Sequence, residues 1–124
     1  MKPVDKLKLS HTKITRPRKL VLEYLAKQQK PKTTQEICAA LKNKVDQVSV
    51  YRTVELLKSL HIIFEECLLD EHRYYAADSP HHHVVCRKCK RVECLPCHVE
   101  FTPPKKFTDI THHLSLTGIC AQCQ

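Results

Sequence analysis

Glycine is almost missing from this chain of 124 residues: Gly118 is the only one. Wherever the backbone turns with positive φ, it must therefore use Asn, Asp or a strained residue. A glycine-rich phosphate loop is excluded by the same scarcity. Long apolar runs are missing too. None approaches the length of a membrane span, and the Lys-rich N-terminus lacks the apolar stretch of a secretory signal. The expected setting is the reducing cytoplasm, with no membrane partner. No nucleophile–base pair is apparent either, so no enzyme is expected. Acidic residues are scarce at the front: residues 1–44 hold 12 Lys/Arg against Asp5, Glu23 and Glu36, a net of +9. Residues 45–79 carry three basic and seven acidic residues, a net of −4, and the remainder is +3. A basic front end suits a polyanion, because each neutralised phosphate releases counterions. A lysine-rich solvated surface would give the same count.

Cysteine and histidine, by contrast, are abundant, with eight and nine residues. Two Cys-X-X-Cys pairs, Cys86–Cys89 and Cys120–Cys123, frame the last third of the chain. Two residues between thiolates let both sulfurs point at one ion, and two such pairs supply the four soft ligands of a structural Zn²⁺. A segment of about 45 residues buries too little apolar surface to stand alone. Zinc supplies the staple, with apparent binding free energies on the order of 10–16 kcal/mol in small peptides. Disulfides are the alternative reading of eight cysteines, but they belong to secreted proteins. A third pair, Cys94–Cys97, and the run His81-His82-His83 exceed the needs of one ion. They point to a second metal site, with a solvated edge strand as the other reading of the histidine run. The third pair also has other readings: inert thiols, a disulfide, or a substitute for one pair of the structural site.

Residues 1–14 read as a mobile basic arm with an apolar patch at Leu7 and Leu9. A first helix is expected near Thr15, with Pro17 tolerated in its opening turn and Leu20, Val21, Tyr24 and Leu25 on one face. Thr33-Thr34-Gln35-Glu36 is a capping-box pattern for a second short helix. Asp46 or Ser49 caps a third, whose buried face is Val50, Val54, Leu57 and Leu60. The period then changes to that of strands at Ile62-Ile63-Phe64, with a turn at Leu69–His72 and a return at Arg73-Tyr74-Tyr75. Three helices and a hairpin read as a winged helix, whose third helix enters the major groove of DNA; the same periodicity fits any small helical domain with a β-ribbon. The expected fold class is α+β: a winged-helix domain over 1–76, a hinge at 77–80, and a small zinc-stapled α/β dimerisation domain over 81–124. Strands are expected at 81–86, 91–95 and 114–116.

Thr15-Arg16-Pro17-Arg18, Val48-Ser49-Val50-Tyr51-Arg52, the histidine strand running into Cys86-X-X-Cys89 and the closing Cys120-X-X-Cys123 occur in an order that resembles the ferric uptake regulator family of bacterial metal-responsive repressors, and within it the zinc uptake regulators. The resemblance covers roughly residues 10–124. It implies a homodimer on a double-stranded, palindromic DNA operator, and a structural zinc on Cys86, Cys89, Cys120 and Cys123. It places Tyr51 and Arg52 on the recognition helix and Lys13 near the minor groove; Arg16, Arg18 and Ser49 are further candidate DNA contacts. Arg offers a bidentate fork to guanine, and Tyr packs on a thymine methyl or holds a phosphate. The competing reading of Tyr51 is a core aromatic beside Val50 and Val54.

The sensing site is where the chain departs from the family. Alternation along a strand puts His81 and His83 on one face and His82 on the other. Folding strand 81–86 onto 91–95 brings His83 opposite Cys94. The regulatory candidates are thus His81, His83 and Cys94, with a fourth ligand from Cys97, Cys67, Glu65 or His98. His112 matches a family histidine and pairs with His82 in a weaker second site. Pro31 stands where the family has a histidine, and Tyr75 and Cys94 stand at two carboxylate positions. Sulfur with imidazole favours Zn²⁺ over harder ions, although another divalent metal fits the same pattern. Two more departures concern architecture. Lys90 replaces the glycine usual after the second knuckle cysteine. The connection through Thr102-Pro103-Pro104 is several residues shorter than the family's, and its prolines require the long helix usual there to be short or irregular. The expected function is a zinc-sensing repressor of metal-homeostasis genes. A thiol-redox or peroxide-responsive regulator, and a zinc-binding interaction protein without DNA binding, are the alternatives.

Overall fold

The computed structural model describes residues 3–96, 100–112 and 114–124. Cys97 and His98, two of the candidate fourth ligands, lie outside the described residues. The order of elements is α1 (Pro3–Leu9), α2 (Arg16–Lys27), α3 (Thr34–Ala40), α4 (Gln47–Ser59), β1 (Ile63–Leu68), β2 (Glu71–Ala76), β3 (His82–Cys86), β4 (Val92–Leu95) and β5 (Leu116–Gly118), closed by a 3₁₀ turn at Ala121–Cys123.

Local chemistry sets the helix starts. Thr15 caps α2 by accepting from the Arg18 N–H, with Pro17 in the first turn. Thr33 and Glu36 form the capping box of α3, each side chain accepting from the other's backbone N–H. Asp46, rather than Ser49, caps α4: it accepts the Ser49 N–H at 3.1 Å and the Ser49 hydroxyl at 2.6 Å. Val50, Val54 and Leu57 turn their face of α4 onto Val21, Leu22 and Leu25 of α2 and Ile63 of β1. Lys32 and Tyr74 exchange two backbone hydrogen bonds, adding a one-residue bridge to the wing.

The N-terminal segment differs from expectation. Residues 3–9 form a helix, and Leu7 is 0% exposed within the winged-helix core. The apolar slot beside α2 recruits it, and a row of lysines does not prevent that. The described residues therefore form four helices before the hairpin, with α4 in the position expected of the third.

β1 and β2 pair antiparallel around a two-residue loop, Leu69-Asp70, with φ of 52° and 64°. Both residues have the positive φ of a type I′ turn, which follows the twist of the strands. With no glycine available there, Leu69 takes the left-handed conformation. Gly118 itself has no positive φ. It lies in β5, and its carbonyl accepts the Arg87 N–H.

The second sheet has the order β4-β3-β5, with β3 antiparallel to β4 and parallel to β5. His83 pairs with Cys94, the register expected from the knuckle. β3 starts one residue later than expected, and the last strand is Leu116–Gly118 rather than 114–116. Parallel pairing with Val84–Cys86 sets that shift. Residues 100–112 contain no helix. The prolines deny it interior hydrogen bonds, so the helix expected there from the resemblance, short or irregular, gives way to an irregular path.

Candidate metal centres and nucleic-acid interface

The tight turn after Cys86 builds the first centre. Lys90 adopts φ 66° and its N–H donates to the Cys86 carbonyl at 3.0 Å. The Cys86 sulfur accepts from the N–H groups of Cys89 and Cys120, both at 3.5 Å. These two donors, Cys120 first, hold the Cys86 thiol down to about 5, while hydrogen bonds with Cys120 and Cys89 push the Cys123 thiol up to about 12. The sulfurs of Cys86, Cys89, Cys120 and Cys123 all lie within 4.8 Å of one another, with Cys89 and Cys120 3.6 Å apart. Ligands at the Zn–S distance in a tetrahedron stand roughly 3.8 Å apart. The donor set fits zinc in number, softness and spacing, and joins the two ends of the small sheet. It is a Cys₄ structural zinc site.

The second centre lies where the wing hairpin meets β3. The Nε2 atoms of His81 and His83 are 3.1 Å apart, and the Cys94 sulfur completes a cluster within 4.8 Å. Cys94 thus belongs with the histidines and not with the four-thiol site. His83 is 2% exposed, while Cys94 is open to solvent. Burial first, and the neighbouring His83 second, push the His81 imidazole below its ordinary value, favouring the neutral ligand form. On the opposite face, His82 and His112 bring their Nε2 atoms to 3.1 Å, and burial lowers His82 in the same way.

Two fourth-ligand candidates are not delivered. Glu65 faces the helices, accepting from Lys58 Nζ at 2.8 Å and pairing with His72 Nδ1 at 2.6 Å. Strand alternation carries Cys67 to the same side, and it joins neither cluster. Pro31 is buried and gives its carbonyl to Arg73. The residue missed in the sequence is Glu66. Only 3% exposed, it accepts from the His83 backbone N–H at 2.8 Å and contacts His83 Nδ1. Two adjacent glutamates on a strand must face opposite ways, so one had to point at β3. Nothing in the pattern identified which.

On the winged helix, Tyr51 is 43% exposed, which excludes the core-aromatic reading. It borders a shallow depression of about 230 Å³ between α3, α4 and the wing, with Thr33, Gln35 and Glu71. Arg52 is exposed beside it. Lys13 and Arg16 are exposed, and Arg18 donates to the Lys13 carbonyl at 2.6 Å, fixing the approach to α2. Ser49 spends its hydroxyl on Asp46.

A winged helix joined to a sheet closed by four thiols, with an imidazole–thiol cluster at the junction, defines a metal-responsive DNA-binding regulator. Residues 10–117 match the Ferric uptake regulator family, and the chain belongs to that family. It is therefore a metal-dependent transcriptional repressor and not an enzyme, and the imidazole–thiol cluster is its His/Cys regulatory metal site. Regulators of this family bind DNA operators as dimers. The chain is 28% identical to the peroxide-responsive repressor PerR of Staphylococcus epidermidis, over 98% of this chain and 87% of that protein. It is 26% identical to PerR of Staphylococcus aureus, over 98% and 88%. Its fold is shared with a zinc-bound manganese uptake regulator, at TM-score 0.69 and 20% identity over 97% of this chain and 99% of that one. The Helicobacter pylori ferric uptake regulator, described with three functional metal-binding sites, superposes with TM-score 0.65 at 20% identity over 97% and 87%.

Proposed function

We propose that this chain is a cytoplasmic zinc sensor that represses metal-homeostasis genes as a homodimer on a double-stranded operator. The observation that carries this reading is the donor set of the regulatory site. His81, His83 and Cys94 offer two nitrogens and a sulfur, a softer set than the oxygen-rich ones suited to manganese or iron. Tyr75, at a position where the family has a carboxylate, spends its hydroxyl on the His81 backbone, donating to the carbonyl at 2.8 Å and accepting from the N–H at 2.9 Å. A bound divalent cation supplies one crosslink among these three side chains. In this reading residues 1–76 form the reading head, 77–80 the hinge and 81–124 the dimerisation domain. Cys86, Cys89, Cys120 and Cys123 hold the dimerisation domain together. Tyr51, Arg52, Lys13, Arg16, Arg18 and Ser49 meet the DNA, and His82 with His112 forms a weaker metal site. Metal occupancy narrows the spacing of the two heads so that both engage half-sites one helical turn apart. Operator affinity measured against added zinc, at fixed salt and with the four-thiol site filled, should rise steeply. An affinity that ignores zinc would refute the sensor.

A second reading follows from the relatives named as peroxide-responsive repressors. Cys94 is an exposed thiol, and its oxidation with Cys97 to a disulfide would withdraw a ligand and release DNA. Intact-mass analysis after mild peroxide decides this: loss of two hydrogens at that pair favours the redox reading, and unchanged thiols favour the zinc one.

A further inference from the structure

The hairpin of the reading head and the strand that carries the metal histidines belong to different sheets, yet two side chains of the hairpin grip both histidines. Glu66 of β1 crosses to β3, accepts the His83 backbone N–H at 2.8 Å and meets the same residue's Nδ1 with its other oxygen. Tyr75 of β2 clips the His81 backbone at N–H and carbonyl. Its ring packs 4.5 Å from the His81 ring and edge-on to His83 at 5.0 Å. Arg73, opposite Glu66 across the hairpin, sends its guanidinium elsewhere, to Glu36, Glu71 and the Pro31 carbonyl. The buried carboxylate of Glu66 is therefore answered by His83. A buried carboxylate persists only where such a partner satisfies it.

We propose that Glu66 is a positioning residue that converts occupancy of the His81–His83–Cys94 site into a fixed orientation of the reading head, with Tyr75 as a second tie, so that the signal bypasses the 77–80 connection. The proposal rests on the metal-dependent reading above and adds its route. By accepting the Nδ1 proton, the carboxylate leaves the Nε2 lone pair of His83 facing His81, which is the ligand geometry. Charge withdrawn from Nε2 makes the Nδ1–H a stronger donor, and a charge-assisted bond to Glu66 tightens. The same carboxylate holds the His83 backbone, so the tightening acts between β1 and β3 themselves. Linkage makes the effect reciprocal: whatever factor zinc adds to operator affinity, operator DNA adds to zinc affinity.

The test uses the full-length protein with its four-thiol zinc in place, comparing wild type with Glu66→Gln, which keeps size and one acceptor. Zinc affinity, read by competition with a chromophoric chelator, should fall by about 10–100-fold. The ratio of operator affinities with saturating and without regulatory zinc should collapse toward one. A zinc-saturated Glu66→Gln protein that recovers the full wild-type ratio would reduce Glu66 to a ligand support and overturn the route alone. A wild-type ratio of one would overturn both the route and the sensor. Tyr75→Phe, which keeps the ring, should lower the ratio partially. In wild type, zinc should move the His83 Nδ1–H resonance downfield, and an unmoved resonance counts against the tightening even if the variant fails to fold.

Discussion

Tyr75 shows how one side chain sets the chemistry of a site without entering it. A phenol whose hydroxyl is engaged on both sides of His81 offers no anionic oxygen to the cluster beside it. Tyr75→Asp would supply a carboxylate and free the His81 backbone. The expected outcome is a narrowed preference for Zn²⁺ over Mn²⁺, measured by competition titration of the two metals, because hard cations gain most from added charge and oxygen. An unchanged preference would mean that the two histidines and Cys94 alone decide selectivity. Lys90 makes a complementary point about the backbone. Its left-handed φ puts the Cys86 carbonyl within reach of its N–H, and the knuckle closes without the glycine that would adopt this conformation freely.

Among the elements, α1 and the wing turn were the least legible in the sequence. Val4 and Leu7 stand at helical spacing, but a segment of seven residues has too little intrinsic helicity to be predicted without its docking site. Leu7 is a core residue, so Leu7→Ala should cost about 2–5 kcal/mol of stability, read from a urea midpoint. A loss of a few tenths would return α1 to the role of an arm. Lys6 on the same helix donates to the carbonyls of Ala77 and Asp78 at 3.0 and 2.7 Å, tying α1 to the connection between β2 and β3. In the wing, Leu69 stores strain in a turn that favours Asn. Leu69→Asn should stabilise the protein by about 1 kcal/mol in the same assay. A neutral or destabilising result would mean that the partly exposed leucine contributes packing that offsets its backbone strain.

At the scale of the whole molecule, the two centres do different work. The four-thiol site holds together a three-stranded sheet whose outer strands have only four and three residues. Such a sheet buries little and depends on its crosslink. Cys120→Ser should lower metal content by one zinc per chain and unfold the C-terminal sheet, while α1–α4 and the wing keep their helical circular dichroism. Near-ultraviolet dichroism and metal analysis together check this. A folded C-terminal sheet without that zinc would show the staple to be dispensable. The irregular 100–112 segment exposes Phe101, Phe107 and Ile110 to solvent.

Rules that act over a few residues were readable in advance. Hydroxyl and carboxylate caps, the reach of a Cys-X-X-Cys pair, and the alternation that sorts His81 and His83 from His82 depend on local geometry, and each appears as expected. The pairing of His83 with Cys94 followed because a tight knuckle leaves little freedom in register. What depended on distant partners was not readable: the slot that folds α1, the parallel pairing that moves β5 to Leu116–Gly118, and the choice of Glu66 rather than Glu65 to meet the metal strand. Glu65 and Glu66 are chemically identical neighbours. Only the packing of Lys58 on one face of the hairpin and His83 on the other tells them apart.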